Sequence, residues 1–466
     1  MRSISIRELK DITFGKILTW PDKPIKYTVK DPAELDKYCL YFAEEDDEES
    51  LLKKLRVCGA SGAVVRGPCK FNVKKWKDAG IGIIEANNPV MLQIELARIY
   101  RKKFDIPFVQ VIGSAGKTTT KDMIGSVLSA AMPTLVGYAN YNTAFAAAYN
   151  ILSLRDWHRA AVLEAGMKSV GYMGFSSSII RPNIAVLISI QRAHFVTLGS
   201  IEKIIESKAE ILDYLDKDAV LIINGEDQNC YKFPTDRHKG KIIRYGFSDK
   251  FDLWATDISY KNFKSYFTIR GKGLEIKCVI NTVGKYNVLN ALAAAAVGLE
   301  LGLEHSVISR GLSDFRPMSR RLKIYRGPGD TVIIDDNFNA NPDSIMLLLE
   351  EIPKFTENRP VLLVLGDVER PDDAIRHYAE NVHFTIGKRI SEINFYKLIA
   401  VGKWAKEYVK GAASEGVPLS KMEHFDTVEQ AKSCFVSSIV PGCVIIFKAS
   451  VYVTVRNLMK ALQKVL

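Results

Sequence analysis

The sequence predicts an α/β protein of three domains built on mostly parallel sheets. Three observations carry this. Short apolar, β-branched runs alternate with segments of helical periodicity along most of the chain. Proline-marked breaks at Ile106-Pro107 and around Ser313-Asp314-Phe315-Arg316-Pro317 divide it into residues 1–105, 106–315 and 316–466, each of ordinary domain size. Several of the apolar runs also end in carboxylates or glycines, as strands do when a parallel sheet collects its functional groups along one edge.

In the first segment, residues 38–43, 62–66 and 81–85 read as strands. Residues 44–55, acidic and then basic, read as a solvated helix. Pro89 opens a helix over 90–103 whose basic end precedes the first break. The second segment begins with the apolar run Phe108-Val109-Gln110-Val111-Ile112. Strands follow at 160–164, 184–190 and 219–223, with a helix over 201–215 that carries Lys208. Residues 242–281 alternate like strands, and the alanine-rich stretch 287–301 returns to helix. In the third segment strands are expected at 331–334, 361–365, 398–401 and 443–447, with a last helix over 453–466. Strands separated by helical patterns predict crossover connections and parallel pairing.

The richest stretch is Val111-Ile112-Gly113-Ser114-Ala115-Gly116-Lys117-Thr118-Thr119-Thr120. It follows a strand, and Met123, Ile124, Val127, Leu128 and Ala131 continue it at helical spacing. A phosphate-binding loop needs that setting. Gly113 and Gly116 permit the tight turn that aims backbone N–H groups of Ser114, Ala115 and Thr119 and the helix N-terminus at one anion. Lys117 reaches toward the outer phosphates, and the Thr118 hydroxyl can ligate Mg²⁺. Val111 stands where the usual spacing has its first glycine. The fold expectation is thus a small N-terminal α/β domain, a central P-loop ATPase-like parallel-sheet domain and a C-terminal Rossmann-like α/β domain. Glu164, His194, Asp335-Asp336 and Gly366-Asp367 all fall just beyond apolar runs.

Composition narrows the class. With 47% hydrophobic and 25% charged residues the chain has ordinary globular composition. No apolar stretch is long enough for a bilayer span and the first residues lack an apolar signal core, so the expected location is cytoplasmic. Seven scattered cysteines with no C-x-x-C pair read as reduced thiols. The net charge of +11 suits polyanionic ligands. No finger, basic helix or aromatic–basic RNA signature accompanies it, which disfavours a nucleic-acid partner.

The residues also carry a family likeness along essentially the whole chain. It rests on Gly113-Ser114-Ala115-Gly116-Lys117-Thr118-Thr119-Thr120, Asn140-Tyr141-Asn142, Leu163-Glu164-Ala165-Gly166, Ala193-His194-Phe195-Val196-Thr197-Leu198-Gly199-Ser200 and Ser207-Lys208-Ala209-Glu210-Ile211. It continues through Tyr286-Asn287-Val288-Leu289-Asn290, Arg321-Leu322 and Asp335-Asp336-Asn337-Phe338-Asn339-Ala340-Asn341-Pro342. In this order and spacing the sequence resembles the Mur ligases, and among them the MurF-like branch that adds D-alanyl-D-alanine in peptidoglycan (cell wall) biosynthesis.

The resemblance implies an ATP-dependent, ADP-forming amide ligase with Mg²⁺. Lys117, Glu164, His194 and Lys208 would carry the chemistry, and Thr118, Glu164, His194 and a carbamylated Lys208 would hold metal. Asn287 and Asn290 match the segment that contacts adenine, while Arg321 and Asp336 match residues that close over the nucleotide. Asn140, Asn142, Asn339, Asn341 and Lys448 stand on the substrate side. The partners implied are a peptidyl or small carboxylate and an amine, with the protein acting as a monomer. Departures are Tyr286 where the family commonly has His, Val368-Glu369-Arg370-Pro371 after Gly366-Asp367, Ala449 in place of glycine, and Thr28-Val29-Lys30-Asp31-Pro32-Ala33 in place of the Asp-Ser-Arg signature that holds a UDP-sugar. The alternatives are a Mur-like ligase acting on a non-UDP carboxylate (folate, a polyglutamate- or cyanophycin-like polymer, a tetrapyrrole) and a non-catalytic ATPase switch.

Overall fold

The computed structural model describes residues 3–9, 12–43, 47–167, 169–191, 199–327, 329–368, 372–450, 453, 455 and 457–459. His194 and most of the helix expected over 453–466 lie outside the described residues.

Three α/β sheets follow one another along the chain. The first comprises β1 (Gly15–Thr19), β2 (Tyr27–Val29), β3 (Cys39–Phe42), β4 (Gly62–Arg66) and β5 (Gly82–Ala86) in the order β1-β5-β4-β3-β2, with β1 alone antiparallel. The second comprises β6 (Phe108–Ile112), β7 (Thr134–Val136), β8 (Ala160–Glu164), β9 (Ile184–Leu187), β10 (Val220–Asn224), β11 (Lys241–Gly246), β12 (Leu253–Lys261), β13 (Lys264–Gly271) and β14 (Leu274–Ile280). Its order is β14-β13-β12-β11-β10-β9-β6-β8-β7; pairing is parallel from β7 to β12, and β12, β13 and β14 form an antiparallel meander. The third comprises β15 (Lys323–Arg326), β16 (Val332–Asp336), β17 (Val361–Gly366), β18 (Lys397–Val401), β19 (Met422–Phe425) and β20 (Val444–Lys448), ordered β15-β16-β20-β17-β18-β19 with only β15 antiparallel.

The central strand β6 shows why these residues fold as they do. All five of its side chains are buried, because helices cover both faces of the sheet. Val109 and Val111 face Met123, Ile124, Val127 and Leu128 of the helix Lys117–Ser129 and the alanines of the helix Lys285–Glu300. Phe108 and Ile112 belong to the cores on the opposite face. The one polar member, Gln110, shares that second face and donates to Ser177 Oγ at 2.9 Å. Each fully buried valine or isoleucine here contributes roughly 1.5–3 kcal/mol.

The cores do not respect the chain breaks. Leu40, Ile84 and Leu92 of the first segment share one cluster with Ala147, Ile151, Leu163 and Ile179 of the second. Phe263 and Val283 of the second pack into the core of the third. A polar seam runs beside that contact: Glu351 Oε2 accepts from the Tyr260 hydroxyl at 2.6 Å and from the Lys285 N–H at 3.0 Å.

Two elements end earlier than their apolar runs suggest. Strand β9 stops at Leu187, and Ile188 and Ser189 turn toward the glycine loop. The helix from Ile201 ends at Ala209 and tightens into a 3₁₀ turn, Glu210–Tyr214. All seven cysteines are free. Among the described residues no helix is long and apolar enough to cross a membrane.

Candidate active site

The C-terminal ends of β6, β8, β9, β10, β16 and β20 open on one cleft of about 830 Å³ between the second and third sheets. This is a size and position usual for ligand sites of open α/β sheets.

The glycine loop forms its floor. A Cβ on Gly113 would stand 2.4 Å from Ile188 Cγ1, and Gly116 takes φ +80 at the helix start, so both positions require glycine. The Lys117 ammonium donates to the Gly113 carbonyl at 2.8 Å, folding the side chain back over the loop. Its desolvation there lowers the lysine's pKa, a shift that Glu164 opposes and Arg321 reinforces. The N–H groups of Ser114 and Ala115 donate to Ser189 Oγ at 3.2 and 3.0 Å. The first-turn amides of the helix Lys117–Ser129, including those of Thr118 and Thr119, have no acceptor within the helix and remain for an anion.

Glu164 closes β8 and is 4% exposed. Its Oε1 accepts from Asn142 Nδ2 at 3.1 Å, while its Oε2 is buried without a partner. A buried carboxylate with one oxygen unpartnered has the chemistry of a cation ligand. Asn140 lines the same wall.

Arg321 enters from the third sheet's side. Its Nη2 lies 3.5 Å from Thr118 Oγ1, its guanidinium stacks 4.0 Å above the Phe338 ring, and its Nε has no partner. Desolvation lowers its pKa against the pull of Asp336, Glu164 and Asp122. Asp336 accepts from the Leu322 N–H at 3.3 Å and from the ammonium of Lys448, its register partner on β20. Lys448 is therefore held by Asp336 as well as lining the cleft. Asn339 is exposed at the rim. Asn341 caps the helix Pro342–Phe355 in a reciprocal pair with Ser344, its Oδ1 accepting from the Ser344 N–H at 2.7 Å.

Asn287 and Asn290 line the cleft but spend much of their hydrogen bonding within the protein. Thr120 Oγ1 donates to Asn290 Oδ1 at 3.0 Å, Asn290 Nδ2 donates to Asn287 Oδ1 at 3.1 Å, and Asn287 Nδ2 donates to the Val283 carbonyl at 2.8 Å. This chain joins the glycine-loop helix to the start of the helix Lys285–Glu300.

Lys208 is buried and Glu210 is half-buried. Lys208 is 2% exposed, and burial together with the Lys117 charge brings its pKa down to about 7. Glu210 turns away and caps the helix Tyr172–Ile180, accepting from the N–H groups of Gly171 at 2.6 Å and Gly174 at 2.8 Å.

Ser189, Lys121 and Asp227 stand in no motif that marks them from the sequence. Asp227 Oδ2 accepts from the Ile190 N–H at 2.9 Å, anchoring the chain that leaves β9. Lys121, one helical turn beyond Lys117, is 1% exposed, and that spacing was the only hint available.

With this geometry in view, comparisons with known proteins give a consistent result. The family profile described as the Mur ligase middle domain matches residues 111–298, and that described as the Mur ligase glutamate ligase domain matches residues 320–451. The chain is 30% identical over 371 residues to the UDP-N-acetylmuramoyl-tripeptide–D-alanyl-D-alanine ligase of Bacillus subtilis strain 168, covering 79% of this chain and 78% of that one. It is 24% identical over 409 residues to the protein of the same description from Escherichia coli K12, covering 86% and 87%. Among solved structures, MurF from Acinetobacter baumannii superposes with a TM-score of 0.80 at 24% identity over 95% of this chain and 94% of that one. MurF from Thermotoga maritima in complex with ADP superposes with a TM-score of 0.77 at 20% identity over 94% and 97%. The chain belongs to the Mur ligase family.

Proposed function

We propose that this protein is an ATP-dependent ligase that adds D-alanyl-D-alanine to the terminal carboxylate of a UDP-N-acetylmuramoyl tripeptide, releasing ADP and phosphate. The observation that carries the ligase chemistry is the convergence on one cleft of the glycine loop, the half-satisfied Glu164 and, from the other lobe, Arg321. The acceptor and amine follow from the relatives' descriptions.

A carboxylate cannot expel oxide, so amide formation needs a better leaving group. The substrate carboxylate oxygen attacks the γ-phosphorus of ATP, the bond from that phosphorus to the bridging oxygen breaks, and ADP departs. The amine nitrogen of the dipeptide then adds to the acyl phosphate carbon, loses a proton, and phosphate leaves as the amide forms. Both steps concentrate negative charge. Lys117 and the first-turn amides of its helix receive the phosphates, and Arg321 brings a planar cation to the transferring group as the lobes meet. Asn142 orients Glu164, and Asp336 holds Lys448 at the amine side.

Thr118 and Glu164 fit a magnesium ion, which uses one or two protein oxygens together with substrate phosphates and would neutralise charge on the triphosphate. Lys208 fits carbamylation. Its amine must be neutral to attack CO₂, and a pKa near 7 makes that form abundant at neutral pH. The product is a carbamate anion, and one proton is released. His194 belongs to the same proposed set.

The test is incubation with ATP, Mg²⁺, the UDP-linked tripeptide and D-alanyl-D-alanine. The expected product is heavier by one condensed dipeptide, ADP and phosphate form only when all substrates are present, and hydroxylamine traps the acyl phosphate as a hydroxamate. AMP with pyrophosphate would overturn the mechanism. Turnover with another carboxylate in place of the UDP-linked peptide would overturn the substrate assignment; the changed segment Thr28-Val29-Lys30-Asp31-Pro32-Ala33 makes that control essential.

A further inference from the structure

We infer that Lys121 is a positioning residue that sets the substrate-side loop of the cleft and, through Asn142, aims Glu164. The inference rests on the ligase reading above and adds to it a residue outside the reacting groups.

Lys121 lies on the helix that begins at Lys117, one turn on, and turns its side chain inward rather than into the cleft. A fully buried ammonium is costly unless it is met by acceptors. This one donates to the Gly137 carbonyl at 2.6 Å and to the Ala139 carbonyl, and sits 3.1 Å from Asp122 Oδ1. Both carbonyls belong to the turn that leaves β7. There Ala139 adopts φ +43, a left-handed conformation that a non-glycine residue holds only when its surroundings enforce it. The Tyr138 N–H is tied in addition to Asn150 Oδ1 at 3.0 Å.

The turn delivers Asn140 and Asn142 to the cleft wall. Asn142 then makes two bonds to the strand end that carries the carboxylate: its Nδ2 donates to Glu164 Oε1 at 3.1 Å, and its carbonyl accepts from the Gly166 N–H at 2.7 Å. Glu164, a residue of the cleft lining, is thereby held through Oε1 while its Oε2 stays buried without a partner. A continuous set of bonds runs from the nucleotide-loop helix, through the Lys121 ammonium, to the loop, to Asn142, to Glu164. The helix that receives phosphate and the carboxylate that would face the metal are held in register by this lysine, and a misplacement of about 1 Å in such a site can cost 10²-fold in rate.

The experiment compares wild type, Lys121→Met, Asn142→Ala and the double variant, with kinetics and amide hydrogen exchange on the full chain. In Lys121→Met, kcat is expected to fall about 10- to 100-fold. The Mg²⁺ concentration for half-maximal rate should rise several-fold, while KM for ATP stays within about twofold. The double variant should be no worse than the poorer single one, because both act through Glu164. Fully multiplicative losses, or an unchanged Mg²⁺ dependence, overturn the inference. Exchange supplies a readout independent of turnover: the Gly166 amide and the amides of 137–142 should exchange at least about tenfold faster in Lys121→Met, while those of 123–129 keep their protection. Unchanged loop protection overturns the inference even if wild type forms no product, an outcome that separately overturns the ligase reading. If Lys121→Met does not fold, Lys121→Gln, which can still reach one carbonyl, takes its place with the same pattern at smaller amplitude.

Discussion

Arg321 Nη2 stands 3.5 Å from the hydroxyl of Thr118, so a cation carried by the third sheet's lobe touches the nucleotide loop of the second. The two residues are 203 positions apart, and the contact exists only because the lobes meet over the cleft. The Arg321 Nε, buried without a partner, marks donor capacity still to be used. Because the cation and the glycine loop belong to different lobes, their contact depends on how those lobes are placed over the cleft.

Replacing Arg321 by methionine keeps the packing on Phe338 and removes the charge. The expected result is a fall in kcat of about 10²–10³-fold, with ADP affinity changing much less. Steady-state kinetics alongside calorimetric titration with ADP checks this. Arg321→Lys should recover little, since a point charge cannot reproduce a planar fork.

Glu164→Gln retains the Asn142 contact through its amide oxygen but removes the charge on the buried edge. Activity is expected to drop by about two orders of magnitude and to need more Mg²⁺ for what remains. Chelation with EDTA should abolish wild-type turnover, and added Mg²⁺ should restore it. An unaltered Mg²⁺ titration in the variant would count against the carboxylate as a metal ligand.

Lys208 makes stability and activity depend on pH in a defined sense. Its pKa falls from 10.5 unfolded to about 7 folded, so between these values the unfolded chain binds more protons at this site and stability contributed here rises with pH. Below about 7 the amine is protonated in both states and the full cost of burying the charge is present. The difference in Tm between wild type and Lys208→Met should therefore shift in favour of wild type from pH 7 to 10, in CO₂-free buffer. Carbamylation should appear as a bicarbonate-dependent gain in activity and a carbamate signal with ¹³C-labelled bicarbonate. Lys208→Ala should be inactive and partly rescued by short carboxylic acids.

The pair Asp336–Lys448 joins adjacent parallel strands and is buried on both sides. Removing the cation alone, in Lys448→Met, leaves the buried Asp336 carboxylate without its paired ammonium and should destabilise the third lobe by about 3 kcal/mol, with the Leu322 N–H and the Arg321 charge still facing it. Lys448→Met combined with Asp336→Leu should regain much of that. Urea denaturation of these two variants and of Asp336→Leu alone decides the matter, and additive losses would show that the two residues act separately.

By itself the sequence determined the local architecture of the nucleotide site. The bounds of β6 and β8 coincide with the apolar runs, because strands buried on both faces admit only such residues. The glycine loop followed from steric demands legible at Gly113 and Gly116, and the placement of Glu164 at a strand end followed from the same pattern. Short edge strands such as β2 and β7 left no trace, being too brief to display a period. The tertiary structure alone decided which polar groups are partners. It gave the Lys448 ammonium to Asp336, the Ser189 hydroxyl to the loop amides, the Asn341 side chain to a helix cap and the Lys121 ammonium to the turn before Asn140. Backbone propensity and hydrophobic periodicity act over a few residues, whereas a buried charge finds its acceptor wherever the strand order brings one, and that order is written in no single stretch of the chain.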